Sequence, residues 1–285
     1  MQIQIQNTCD QYKKLLALSD EKRESYFNKE LLKPFAPAFE RLNMPMSAEM
    51  LGCIPITGND AEISKMLSLL EKADAWNEAY QAIENAAKSF EKAGVAMPDS
   101  VQVGIFLGSP LLLSQTQGYS GMGSVPGYIQ IIIAPNDYNL PRLNSCISHE
   151  FHHNVYFYNA KWNFMNVTVG KYLAVEGLAE SFAAELYGKE FIGPWVTGTS
   201  KKDLEISRKI IGNNLDVQGF MEVRKYMYGN HPMVAEAKEL GIPFCGGYAA
   251  GYHAVQAYLQ KAGTAVAELT NLDGDELMRA SGYFD

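Results

Sequence analysis

The stretch Ser148-His149-Glu150-Phe151-His152-His153-Asn154 decides how the rest of the chain is interpreted. It reads H-E-x-x-H, with His149 and His153 four residues apart. On an α-helix this spacing puts both imidazoles on one face, so they can reach one metal ion, about 2.0–2.1 Å from each ring nitrogen. Glu150 projects roughly 100° away from His149, beside the ion rather than onto it. A general base that takes a proton from water belongs in that position.

The surrounding residues predict an amphipathic helix. Apolar side chains recur at helical spacing on one side, while His149 and His153 project from roughly the opposite side. The apolar stripe consists of Leu143, Ile147, Phe151, Val155 and Tyr158. His152 lies off the face of the two candidate ligands and is interpreted as a structural hydrogen-bonding partner. Surface histidines on an ordinary helix are the alternative interpretation.

A pair of carboxylates follows in residues 171–187, a run rich in Ala, Leu and Phe and free of proline. Glu176 and Glu180 are four apart, so they share one face of a predicted helix. A catalytic zinc site needs a third protein ligand, and Glu176 is predicted to supply it, with Glu180 as an acceptor that fixes a histidine tautomer. A solvated acidic face is the usual explanation of E-x-x-x-E. Here the flanking residues are mostly apolar, and carboxylates in such surroundings need a cation.

Together, H-E-F-H-H and E-G-L-A-E resemble the motifs of the gluzincin class of zinc metallopeptidases. In that class the first Glu of an E-G-x-A-E helix is the third zinc ligand, which corresponds to Glu176. From about residue 100 onwards, the chain resembles a domain-of-unknown-function family of predicted Zn-dependent proteases. In that family a G-Y-x-x-G-Y segment follows the two motifs, as residues 247–252 do here. The spacer before Glu176 is longer than in the commonest gluzincin pattern.

The resemblance implies Zn²⁺ as cofactor and a peptide or protein as substrate. It also implies a zincin-like catalytic core, in which a small twisted sheet packs on two zinc-binding helices. We therefore expect an α+β fold with an N-terminal helical region over residues 1–97. Residues 98–285 are expected to form the catalytic region with a C-terminal helical part.

Amino-acid composition and net charge indicate which kinds of binding partner the protein has. The chain has 285 residues, 47% apolar and 20% charged, and can bury a sizeable core. A net charge of −8 argues against nucleic acid or an anionic membrane as partner. Neither a signal peptide nor a membrane-spanning segment is recognised. The chain has four widely spaced cysteines and no C-x-x-C motif: Cys9, Cys53, Cys146 and Cys245. This pattern predicts reduced thiols in a cytoplasmic protein.

The N-terminal part reads as helical. Asp60 is predicted to cap a helix that buries Ile63, Met66, Leu67 and Leu70. Asp74 is predicted to cap another, closed by Gly94, that buries Trp76, Tyr80, Ile83, Ala87 and Phe90. Beyond the two metal-site helices, we expect further helices over residues 201–211, 217–228, 246–262 and 275–280.

In the middle of the chain the sequence pattern changes from that of helices to that of strands. Residues 101–107 and 128–134 read as strands. Between them, residues 118–127 are glycine-rich but lead into a strand and lack a Lys-Ser/Thr ending. They are interpreted as a flexible turn or the rim of a cleft rather than a phosphate loop. Because the strand over 128–134 comes directly before the H-E-x-x-H helix, its edge is predicted to be exposed and to pair with a substrate backbone.

These motifs predict zinc-dependent peptide hydrolysis with Glu150 as general base. The predicted oxyanion donor is Tyr252, followed by Tyr248 and His253, because small neighbours allow this helix to approach another backbone closely. Tyrosines that merely pack at a rim are the alternative for this pair. A rival donor cluster contains Tyr226, Tyr228 and His231. Two other functions stay open: a catalytically silent binding or regulatory protein of zincin fold, and a zinc hydrolase of a non-peptide amide. The sequence leaves the oligomeric state and the substrate open.

Overall fold

The structure, a computed structural model, describes residues 1–232 and 234–285, with the backbone alone for Ala235. Within these residues the fold is α+β, as predicted, with one small mixed sheet among helices. The strands are β1 (Gln2–Ile5), β2 (Ser100–Leu107), β3 (Tyr119–Val125) and β4 (Tyr128–Ile133).

The helices expected from periodicity are present with similar bounds, except that the one expected from residue 217 begins at Phe220. The α-helices are α1 (Thr8–Leu16), α2 (Asp20–Tyr26), α3 (Ala36–Arg41), α4 (Asp60–Lys72), α5 (Ala75–Ala93), α6 (Leu143–Asn159), α7 (Val169–Tyr187), α8 (Pro194–Thr197), α9 (Lys201–Gly212), α10 (Phe220–Tyr228), α11 (Gly246–Ala262) and α12 (Gly274–Ala280). A π-helical turn (Phe27–Leu32) and short 3₁₀ turns connect some of them. The buried face of α4 is the predicted one, whereas Tyr80 of α5 is 39% exposed instead of buried.

The sheet order is β1-β2-β4-β3, in which β1, β2 and β4 are parallel and β3 is antiparallel to β4. Two expectations are therefore wrong. Residues 1–97 are not helical throughout, because the alternating Gln-Ile-Gln-Ile at the N-terminus forms β1 beside β2. The strand over 128–133 is not an exposed edge, because β2 and β3 pair with its two sides.

The glycine-rich stretch is a strand and not the predicted flexible turn. Gly121 pairs with Ile131 of β4, and β3 forms an edge of the sheet. A methyl group at Gly121 would overlap the carboxylate of Glu150, and one at Gly123 would overlap the backbone carbonyl of Glu150. Glycine is disfavoured in strands, except where another chain segment approaches closely. These two glycines therefore let β3 lie directly against α6.

Asn154 attaches the β3–β4 hairpin to α6. Its side chain is fully buried. The amide nitrogen donates to the carbonyls of Gly123 (2.8 Å), Val125 (2.9 Å) and Tyr128 (2.8 Å), and the amide oxygen accepts from the N–H of Gly127 (2.6 Å). These bonds engage backbone groups in and next to the turn, where the β3–β4 register is irregular. One side chain thus fixes the hairpin that covers Glu150.

The chain forms two compact units. The first comprises residues 1–88 and 97–154 and contains the whole sheet. The second comprises residues 89–96 and 155–285, and α7 packs there against α11 and α12. The predicted division at residue 97, which rests on the change from helical to strand patterns and on the resemblance that begins near residue 100, stays a prediction.

Two further sequence features are visible in the structure. All four cysteines are buried, and none of them forms a disulfide. No helix among the described residues is long and apolar enough to cross a membrane.

We predict that Asn154→Ala lowers the free energy of unfolding by about 2–4 kcal/mol, because it leaves several buried backbone groups without partners. Urea unfolding of the purified protein measures this. The matched control is Asn159→Ala at the exposed end of the same helix, which should cost less than about 1 kcal/mol. Equal losses in the two variants would contradict the role given to Asn154.

Candidate metal centre

Helix α6 presents His149 and His153 side by side. Their ring centroids are 4.6 Å apart and the ring planes are nearly perpendicular, at 88°. Both side chains are buried, with 5% and 6% of their surface exposed. This arrangement follows from the four-residue spacing, which places the two rings one helical turn apart. The apolar stripe predicted on α6 is buried as far as Val155, but Tyr158 is 47% exposed.

His149, His153 and Glu176 form a group that can hold a metal ion. One nitrogen of each imidazole and one carboxylate oxygen all lie within 4.8 Å of one another, and all three residues are buried. Two neutral imidazoles and one carboxylate are a ligand set that suits zinc and leaves a coordination position open. Burial also fits a metal, because an ionised carboxylate in apolar surroundings is costly without a cation.

Glu150 lies on α6 between the two histidines and is 7% exposed. Gly121 of β3 lies against its carboxylate, and Gly123 lies against its backbone carbonyl. The carboxylate is therefore enclosed by backbone on the strand side, with little room to change conformation. A carboxylate held in this way can accept a proton at a fixed position.

Helix α7 carries Glu176 and is buried almost all round. The Thr168 hydroxyl caps it by accepting the N–H of Lys171 at 3.0 Å. A methyl group at Gly177 would overlap the backbone of Gly251, so the two glycines let α7 and α11 approach backbone to backbone. This close approach agrees with the small-residue pattern noted in the sequence of α11.

Glu180 anchors the segment that follows α7. Its carboxylate accepts hydrogen bonds from the backbone N–H of Gly193 and, at 3.0 Å, from the indole N–H of Trp195. It is 3% exposed. The predicted role of Glu180, fixing the tautomer of a ligand histidine, stays a prediction.

Tyr248 lies in a polar cluster with Tyr228. The two rings are 5.7 Å apart and the two hydroxyls are hydrogen-bonded to each other. Burial raises the pKa of Tyr248 well above its ordinary value, and the nearby Tyr228 and Glu176 raise it further. Its phenol therefore keeps its proton and can act as a donor at neutral pH. Tyr228 belongs to the cluster that sequence reasoning ranked lower.

Tyr252 has different surroundings. It is 4% exposed and packs with Ala184, Ile192 and Val196, against which Trp195 also lies. Burial raises its pKa to about 12, with a smaller contribution from Glu180. The neighbouring His253 stacks with Tyr283 at 6.3 Å, and burial lowers its pKa. Tyr252 thus has the environment of a packed side chain.

A comparison with known families extends these observations. The family described as "Predicted Zn-dependent protease (DUF2268)" matches residues 75–279, which include α6, α7 and α11. The chain belongs to this family. The DUF2268 match covers most of the chain and includes every predicted site residue.

One relative of this DUF2268 member is the uncharacterized protein YjfC of Bacillus subtilis (strain 168). It is 36% identical over 300 aligned positions, which cover 100% of this chain and 99% of the relative. No solved structure matches the chain.

Sequence reasoning missed several residues that shape the surroundings of the centre. Gly121 and Gly123 alternate at strand spacing within Tyr-Ser-Gly-Met-Gly-Ser-Val, which is a signal for a strand that packs closely on another element. Asn154, next to His153, gave no signal, because its partners are backbone groups of a distant hairpin. Tyr228 was noticed, but its link to Tyr248 depends on the packing of α10 against α11.

We predict that the purified DUF2268 member binds about one zinc ion per chain and that His153→Ala loses it. Metal analysis after dialysis measures the stoichiometry. Added zinc should raise the melting temperature of the wild type and leave that of His153→Ala unchanged, because only a folded site binds the ion. His253→Ala is the control histidine variant and should keep its zinc. Equal zinc in wild type and His153→Ala would exclude this ligand set.

Proposed function

We propose that this protein is a zinc-dependent peptidase with a zincin-like core, in which His149, His153 and Glu176 hold the metal. The observation that carries the proposal is the buried group of two imidazoles and one carboxylate, with Glu150 on the same helix as both histidines. Membership of a family described as a predicted Zn-dependent protease supports the peptide as substrate class.

When bound, zinc at such a site supplies Lewis-acid chemistry and makes water a nucleophile near neutral pH. Glu150 accepts the proton from the attacking water and passes it to the leaving amine. The close approach of Gly121 to its carboxylate supports this role, because a base that is already oriented needs no reorganisation during the reaction. His149, His153 and Glu176 act only as ligands in this scheme.

Charge also develops on the carbonyl oxygen under attack, and a donor is needed there. We propose Tyr248 ahead of Tyr252 for this role, which reverses the order expected from sequence. Tyr248 lies near Glu176 and is hydrogen-bonded to Tyr228, whereas Tyr252 packs among apolar side chains. Tyr228 holds the Tyr248 hydroxyl through the bond between them.

A catalytically silent binding protein and a hydrolase of a non-peptide amide are the other candidate functions. The buried Glu150 favours an enzyme over a silent protein, because a buried carboxylate that is not a ligand costs stability and has no use in metal binding alone. Peptide and non-peptide amides require the same chemistry at the metal. A survey of cleaved substrates separates them.

We predict that Glu150→Gln keeps its zinc but loses hydrolysis by about 10²–10⁴-fold, because an amide cannot take the proton from water. The substitution keeps the shape of the side chain beside Gly121, so the fold should be unaffected. Metal analysis and cleavage of a peptide library followed by mass spectrometry measure the two effects. The control is Glu205→Gln, an exposed carboxylate on α9. Near-wild-type cleavage by Glu150→Gln would remove Glu150 from the mechanism.

We also predict that Tyr248→Phe lowers kcat and kcat/KM together by about 10²–10³-fold, with zinc content unchanged, because the lost hydroxyl acts only in the transition state. Tyr252→Phe should have the smaller effect. Steady-state kinetics on a peptide cleaved by the wild type compares the two variants. A larger loss in Tyr252→Phe would restore the order expected from sequence.

A further inference from the structure

A cleft in the first compact unit lies apart from the residues assigned to hydrolysis. Residues 46–57 run beside residues 107–112, where Cys53 and Gly108 form an antiparallel bridge. The N–H of Ile54 donates to the carbonyl of Leu107 at 2.9 Å, and the N–H of Ser109 donates to the carbonyl of Gly52 at 2.8 Å. With α2, these two segments line a cleft of about 650 Å³, called the acidic cleft below.

The walls and surroundings of the acidic cleft expose large apolar side chains. Met46 and Leu112 line it and are 37% and 59% exposed. Met50 and Leu111, on the same two segments, are 55% and 81% exposed. Single exposed apolar residues are ordinary, but several on adjoining segments around a concave site indicate a binding surface. Methionine and leucine together suit an apolar partner of variable shape.

The rim carries unpaired negative charge. Glu21 and Glu24 of α2 and Glu49 of the neighbouring segment line the cleft and are exposed. Within the described part of the chain, none of the three forms an ion pair. Arg23, on the same helix, is engaged with Asp60 and Asp20. Among the described residues that line the cleft there is no Lys, Arg or His.

We propose that the acidic cleft docks a basic amphipathic segment of a partner protein. Apolar side chains of that segment would cover Met46 and Leu112, and its Lys or Arg residues would face Glu21, Glu24 and Glu49. The charge pattern selects this occupant, because complementary charges around an apolar centre favour a cationic partner and disfavour anionic ones. The exposed Met50 and Leu111 extend the apolar surface beyond the cleft, which suits a segment several residues long.

The proposal is tested with a fluorescently labelled model helix of about 18 residues, built of Leu and Lys so that one face is apolar and the other basic. Fluorescence anisotropy measures its binding to the full chain. A second peptide with Glu in place of Lys tests whether binding depends on positive charge. A peptide with the same Leu and Lys residues in scrambled order tests whether binding depends on the amphipathic pattern. We expect the patterned basic peptide to bind at least about tenfold more tightly than either, and more weakly as salt rises.

Matched variants locate the binding. Glu21→Lys with Glu24→Lys, and Leu111→Ser with Leu112→Ser, should each weaken binding at least about tenfold, because they remove the charge or the apolar surface. The controls are Glu205→Lys, an exposed unpaired carboxylate on α9, and Met221→Ser, which is 59% exposed as Leu112 is. All substituted residues are exposed, so thermal unfolding should be unchanged. Equal binding by cleft and control variants, or equal binding of the acidic peptide, would overturn the proposal.

Discussion

The burial of the three proposed metal ligands is the constraint on which this structure depends. His149, His153 and Glu176 are each less than a tenth exposed, and their ligand atoms lie within 4.8 Å of one another. Burying an ionised carboxylate is costly unless a cation compensates it, so we expect the fold to be most stable with a metal ion bound. Because Glu176 and Glu180 are both buried, the residues around them on α7 are mostly apolar.

Glycine controls how closely other backbones approach this region. Gly121 and Gly123 allow β3 to lie on α6 at Glu150, and Gly177 and Gly251 allow α7 to contact α11. A side chain at any of these positions would overlap a neighbouring segment. The Asn154 side chain also forms hydrogen bonds with four backbone groups of the β3–β4 hairpin. Backbone contacts from β3 thus help to hold the general base of the proposed reaction.

Local periodicity was sufficient to predict the helices, but pairing between distant segments was not predictable. Residues 246–262 form α11 within the expected bounds, and α4 buries the four residues that its spacing indicated. The short strand β1 was missed because its residues alternate only twice and its partner β2 lies far along the chain. Likewise β4 was expected at an edge, since nothing in its own residues reveals that β3 covers it. The metal-binding motifs were recognisable because their spacing is local, whereas the surroundings of Tyr248 depend on how α10 and α11 pack.

The most direct test of the central claim is the position of zinc in a crystal of the zinc-loaded protein, located by anomalous diffraction at the zinc edge. The account predicts one strong peak about 2.0–2.2 Å from a nitrogen of His149, a nitrogen of His153 and a carboxylate oxygen of Glu176, with Glu150 outside the coordination sphere. A peak bound by a cysteine sulfur, or one that includes Glu150 as ligand in place of Glu176, would contradict it.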